Sequence, residues 1–404
     1  MAYPIGLALT VLAISLFLCW WVNYYFETPW ERTHQQPIVR FGEALDALGR
    51  TWDSEFYSDI AEHGYSPDRP KNYAFFPLFP LEIRWVAKAL RMGIPRAALL
   101  ANALNFTALV TSLWAFFRAF ADRFRKQIDA DEVLLLSLML PCGLFLWVAY
   151  TESLFALWTV LFFGYLLFGG SGWRTAWVVP LLAVLASLTR SPGVGLVLAA
   201  WVDLGARLWA SGRERWREHL PRAASALGAT VGSAAALGLL FLKFERATGD
   251  FWVSKHVQTT YWNRSAEFEW RLWRPLVEYL GKYLPLGPGC QGNLECDLNV
   301  SNTLIAAVLG VLALVLCAVF WRKYRASGLL AMLAHSIFCL ALPLSTNSTT
   351  SFNRLGLVSP AYLLVLPLAT GLYLPRGLQK ILQVGLTLFQ AMFFIQFASS
   401  FWFG

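Results

Sequence analysis

Asn302-Thr-Leu-Ile-Ala-Ala-Val-Leu-Gly-Val-Leu-Ala-Leu-Val-Leu-Cys-Ala-Val-Phe-Trp321 contains no Lys, Arg, Asp or Glu. A helix rises about 1.5 Å per residue, so this run spans roughly the 30 Å of a bilayer's hydrocarbon core. Further apolar runs lie near residues 4–26, 97–117, 133–150, 152–169, 173–190, 192–209, 223–243, 327–344, 355–373 and 381–402. The expectation is an all-α polytopic membrane protein of about 11 transmembrane helices, with residues 1–404 forming a single integral membrane domain. Composition agrees: 57% of the residues are hydrophobic, 16% are aromatic and only 14% are charged. Soluble domains carry about 25% charged residues, so an ordinary soluble enzyme is excluded, as is a disordered chain. Six cysteines are too few for a disulfide-dense scaffold. The first run is too long for a cleaved leader and lacks a small-residue cleavage pattern, so it reads as a signal anchor.

The net charge of +8 suggests nucleic acid until the basic residues are sorted by side. With a cytoplasmic N-terminus, 15 of the 33 Lys and Arg fall in short inner loops and two, Arg190 and Arg354, in short outer turns. The rest lie in or beside two long outer segments, 27–96 and 244–301, which largely escape the positive-inside bias. The charge is thus mostly a topology signal, and no nucleic-acid partner is expected. The same orientation gathers both long segments and the polar turns at 150–153, 190–193 and 345–354 on the outer face. A single site opening there fits better than a path through the membrane, and no inverted repeat supports a transporter.

Within the first outer segment, Arg50-Thr-Trp-Asp-Ser-Glu-Phe-Tyr-Ser-Asp-Ile-Ala-Glu-His-Gly-Tyr65 reads as a helix closed by Gly64. At about 100° per residue, Trp52, Phe56 and Ile60 form one apolar stripe. Glu55, Asp59 and Glu62 gather on another face, while Asp53 sits at the edge of the stripe. A carboxylate turned inward there is either a general base with fixed geometry or a structural cap. Downstream, residues 81–92 read as an interfacial helix whose Arg84, Lys88 and Arg91 face lipid headgroups. Glu152 opens the fourth span, where an ionisable group marks function or pairs with an Arg across the bundle. Arg190 and Arg354, beside hydroxyl-rich turns, could grip a phosphate or form rim salt bridges. In the second segment the aromatics, Gln258 and Arg264 could bind a sugar or anchor the interface. Cys290 and Cys296, outside the spans, are expected to form a disulfide. The five His residues show no ligand spacing, so neither a metal nor another cofactor is expected.

In register, Trp52-Asp53, Gly64-Tyr65, Ala74-Phe-Phe-Pro-Leu-Phe-Pro80, Tyr150-Thr-Glu-Ser-Leu-Phe155, Arg190, Gly249-Asp250, Gln258 and Trp262-Asn-Arg264 resemble the PIG-V-like mannosyltransferases, relatives of the GPI mannosyltransferase II that include bacterial members. The resemblance runs from about residue 50 to 360. It implies a GT-C glycosyltransferase fold and a polyprenyl- or dolichyl-phosphate-linked mannose donor used on the extracytoplasmic face. It further implies Asp53 as catalytic base, with Glu152 and Arg190 supporting the site. Two departures, Arg190-Ser-Pro-Gly193 and Phe251-Trp252 after Gly249-Asp250, bear on sugar and acceptor identity.

The expected reaction is an inverting transfer of a hexose to a lipid-linked or glycan acceptor. Asp53 and Glu152 are catalytic in this reading, Arg190 and Arg354 hold the donor phosphate, and Trp52, Tyr65, Gln258, Trp262 and Arg264 bind substrate. The expected location is a bacterial plasma membrane with the site facing outward, or in a eukaryote the ER membrane with a lumenal site. A lipid or polysaccharide flippase, and a non-catalytic subunit acting with a partner enzyme, are the alternatives.

Overall fold

The computed structural model describes residues 2–25, 41–141, 143–170, 172–211, 213–262, 264–265, 267–283, 294–346, 354 and 358–398. Among these every regular element is helical. The chain begins with α1 (Ala2–Tyr25) and continues through two short helices, α2 (Phe41–Leu48) and α3 (Asp53–His63). A 3-10 turn at Pro70–Ala74 leads to α4 (Leu78–Leu90) and the long α5 (Ile94–Phe124). Then follow α6 (Ala130–Leu138), α7 (Glu152–Phe168), α8 (Arg174–Thr189), α9 (Gly195–Ser211) and α10 (Leu220–Thr248). The second outer segment holds α11 (Val253–Trp262) and α12 (Arg274–Tyr283). Four more helices complete the fold: α13 (Leu294–Tyr324), α14 (Ser327–Leu344), α15 (Leu366–Tyr373) and α16 (Arg376–Ala398).

Six of these helical stretches are long and apolar enough to cross a membrane, and three shorter apolar helices pack among them. The chain is therefore an all-helical integral membrane protein. Its centre is the α7 helix, which packs between α5 and α8, while α8 in turn packs on α10 and α9 on α14. Phe155, Phe162 and Phe163 of α7 are fully buried, and apolar side chains reach outward from the bundle at Leu104, Trp177, Leu239 and Val311, as a lipid-facing surface requires.

One expected span departs from a continuous helix. Across 133–150, α6 ends at Leu138, a 3-10 turn covers Gly143–Leu146, and the chain to Thr151 is irregular. Non-helical backbone at membrane depth persists only where protein satisfies its polar groups, and here it does. Residues 143–151 are buried. Asn102 donates to the carbonyls of Leu146 and Val148, Ser153 also donates to Leu146, and Gln390 bonds both Leu144 N–H and Leu140 C=O. This broken span carries the chain from the C-terminal end of α5, where Trp114 donates to Asp131, to the end that holds Asp53.

Candidate active site

Trp52 adopts φ 55°, ψ −127° immediately before α3, a conformation rare for any residue but glycine. The turn makes Asp53 the first helical residue, and its N–H donates to the hydroxyl of Tyr150 at 3.1 Å. The helix then docks through hydroxyls. Ser54 donates to the Ala149 carbonyl at 3.1 Å, Ser58 to Gly49 C=O at 2.9 Å, and the Tyr57 and Thr151 hydroxyls share a bond at 3.1 Å. The buried face of α3 is thus Ser54, Tyr57, Ser58, Ile60 and Ala61, not the expected stripe of Trp52, Phe56 and Ile60. The reason is the partners: the Ala149 and Gly49 carbonyls and the Thr151 hydroxyl need hydrogen-bonding groups opposite them, which hydroxyls supply and methyls could not.

Gly64 closes the helix at φ 78°, as its position suggests. Arg84 adds to this end, donating from Nε to Ala61 C=O at 2.7 Å and from Nη2 to Ile60 C=O at 3.1 Å. The expected headgroup contact of Arg84 is corrected accordingly: its guanidinium faces inward and caps α3. The partial negative charge of the helix C-terminus draws it there, where Ile60 C=O also accepts from Gly64 N–H at 2.9 Å.

Asp53 and Glu152 are joined by Arg354, whose Nη1 lies 2.7 Å from Asp53 Oδ2 and whose Nε lies 2.8 Å from Glu152 Oε1. The guanidinium rests over the rings of Tyr150 and Phe145, at 4.6 and 5.0 Å from their centroids. Arg190 Nη1 approaches Glu152 Oε1 to 2.6 Å and Thr151 Oγ1 to 3.2 Å. Its position follows from a break between α8 and a 3-10 turn over Ser191–Val194, where Arg190 is extended. Gly193 permits the tight return, since a Cβ there would sit 2.3 Å from the carbonyl group of Ala186. Of these side chains Glu152 is 0% exposed, Arg354 2%, Arg190 14% and Asp53 18%. Glu152 Oε2 is buried with no hydrogen-bond partner. Asp53 and Arg190 are thus the part-exposed members of the cluster, and Glu152 is the buried pivot between two arginines. Burial, then the nearby Asp53 charge, pushes the Tyr57 phenol well above its usual range, so it is neutral.

The second outer segment closes over the first. Tyr65 donates to Phe75 C=O at 2.8 Å, with its ring against Tyr73 and Phe244. Gln258 reaches Ala74 C=O at 3.4 Å, and Trp262 meets Phe56 and Phe75 edge-on, each at 5.8 Å. Tyr65 and Gln258 thus hold the two segments together. Arg264 lies beyond Trp262, and its guanidinium is shifted down to about 10 by burial and by the charges of Arg190 and Arg354, against a smaller opposing effect of Asp53. Reading the sequence missed Phe145 and Asn102; a polar Asn inside an apolar span is the signal that could have flagged the latter. Of the expected Cys290–Cys296 bridge, Cys290 lies outside the described residues, so the pairing is not described. Among the described residues no group of three or more His, Cys, Asp and Glu gathers as a metal site would require.

The family model for mannosyltransferase (PIG-V) matches residues 41–208. The GPI alpha-1,6-mannosyltransferase 2 of Rattus norvegicus is 35% identical over 159 residues, covering 37% of this chain and 30% of that protein. Its Homo sapiens counterpart is 32% identical over 149 residues, 35% of this chain and 29% of its own length. The matched region thus spans about a third of the curated relatives. Two solved structures from Archaeoglobus fulgidus also align at 11% identity. They are an oligosaccharyltransferase with Zn and sulfate, at TM-score 0.41 over 98% of this chain and 53% of that one, and AglB with an inhibitory peptide and a dolichol-phosphate, at 0.44 over 97% and 55%. At these scores the likeness carries no structural argument. Trp52, Asp53, Glu152 and Arg190 all lie in the stretch that is similar to the PIG-V-like mannosyltransferase family.

Proposed function

We propose that the protein is a GT-C membrane glycosyltransferase that moves mannose from a polyprenyl- or dolichyl-phosphate to a lipid-linked or glycan acceptor on the extracytoplasmic face. The observation that carries this reading is the pinned, partly exposed carboxylate of Asp53. Its Oδ2 is held by Arg354 and its backbone by Tyr150. Oδ1 makes no bond among the described residues, and the side chain is 18% exposed.

In the transfer, the acceptor oxygen attacks the anomeric carbon from the side opposite the phosphate. The bond from that carbon to the phosphate oxygen breaks, the electron pair leaves with the lipid phosphate, and configuration inverts. The acceptor's proton passes to Asp53 Oδ1. In an oxocarbenium-like transition state the attacking hydroxyl becomes acidic only as the new bond forms, so a carboxylate already held by an arginine suffices. Arg190 and Arg354 place their positive field beside the leaving group, where preorganised charge contributes most.

Purified Asp53→Asn protein is expected to lose transfer from polyprenyl-phosphate mannose by about 10²–10⁴-fold, with its elution from size exclusion unchanged. Wild-type turnover by that variant would show that Asp53 is not the base.

A further inference from the structure

The described site holds three guanidinium groups, Arg190, Arg264 and Arg354, and two carboxylates, Asp53 and Glu152. With Tyr57 neutral, one positive charge is left without a counterpart in a partly buried place. Uncompensated charge in such a place is costly, and an anion arriving there removes the cost.

The three arginines are not equivalent. Two edges of the Arg354 guanidinium are already given to Glu152 and Asp53. Arg190 is given to Glu152 and Thr151. Arg264 has no ion pair and no side-chain hydrogen bond among the described residues, and its Nε is buried without a partner. Five N–H donors in a fixed fork match a phosphate's oxygens, and leaving such donors unmatched is unfavourable.

The backbone holds this group in place from two sides. On one side Trp262 packs against Phe56 of α3, the helix that begins at Asp53. On the other, Ser265 N–H donates to Thr346 C=O at 2.8 Å and Glu269 N–H to Ser345 C=O at 2.9 Å. A side chain on a free loop would have no such fixed position. The repulsion that Arg190 and Arg354 exert on Arg264 turns into shared attraction once an anion sits among them.

We propose that Arg264 is the direct ligand of the donor's phosphate, so that the second outer segment supplies the anion grip and the first supplies the base. This rests on the lipid-phosphate donor proposed above. As the bond from the anomeric carbon to the phosphate oxygen breaks, that oxygen gains the electron pair, and Arg264 stabilises the charge that accumulates on the leaving phosphate.

The test is binding of farnesyl phosphate, with farnesol as the uncharged control, to the full-length protein in nanodiscs. Wild type is expected to prefer the phosphate. Arg264→Gln is expected to weaken phosphate binding by about 10–100-fold, the size of a lost charge-assisted contact, with farnesol binding unchanged. Arg264→Lys keeps the charge but loses the fork and is expected to bind about threefold more weakly or worse. This second variant carries the test if the first does not fold. No preference for the phosphate in wild type would remove the lipid-phosphate donor, and this assignment with it. A wild-type preference retained by whichever Arg264 variant folds would overturn the Arg264 assignment alone.

Discussion

Glu152 shows how one buried residue can organise a charge cluster. It is fully buried, and both Arg190 and Arg354 converge on its Oε1. Breaking a buried ion pair from one side typically costs about 3–5 kcal/mol, because the remaining charge stays buried and unmatched. Glu152→Gln preserves the shape and removes the charge, so it is expected to lower the thermal unfolding midpoint measurably as well as activity. Asp53→Asn, at a more exposed position, should lower activity with a smaller change in that midpoint. Comparing the two melting curves separates the buried pivot from the proposed base; equal midpoints would show that Glu152 does not act as a pivot. The sequence made both carboxylates visible, one by its place on a helical wheel and the other by its depth in an apolar run. It could not show their link, because Arg354 is 202 residues from Glu152 and 301 from Asp53.

Helices were legible wherever apolar length alone decides the outcome, as in α13 and α14. The third expected span was not, since Gly143-Leu-Phe-Leu-Trp-Val-Ala-Tyr150 is as apolar as any membrane helix. What holds it unwound are partners for its carbonyls, the distant Asn102 and Ser54 with the nearby Ser153, and periodicity carries no record of the distant ones. The amphipathic α4 was recognised as an element, but its inward polar contacts were not. Besides Arg84, it half-buries Glu82, which accepts from Asn105 Nδ2 of α5 at 2.8 Å. Burial pushes the Glu82 carboxyl up to about 7 from 4.5, against the opposing bond from Asn105. The folded state therefore holds this proton more tightly than the unfolded chain does. Its stabilising contribution is complete below about 4.5 and is lost as pH rises through about 7. Melting curves between pH 5 and 8 should show wild type losing stability relative to Glu82→Gln as pH increases. A difference between them that stays constant with pH would exclude this role for the α4–α5 contact.

Taken whole, the molecule turns a charge distribution into an orientation that can be measured. The α10 helix has 29 residues and so extends about 43 Å, more than the hydrocarbon core of a bilayer. Exposed Arg217 lies just before its start, in the basic stretch 213–222. Near its other end Phe244 packs on Tyr65, three residues from exposed Asp68. The two positions thus flank one spanning helix from opposite ends, whichever way the chain is inserted. Basic residues are retained on the cytoplasmic side, so Arg217 is expected inside and Asp68, with the carboxylate cluster, outside. In a background with the six native cysteines replaced, Asp68→Cys is expected to react with a membrane-impermeant maleimide on intact cells. Arg217→Cys should react only after permeabilisation. The reverse pattern would put Asp53 on the cytoplasmic face, where a donor presented on the outer face could not reach it, and the proposed transfer would fail together with the orientation.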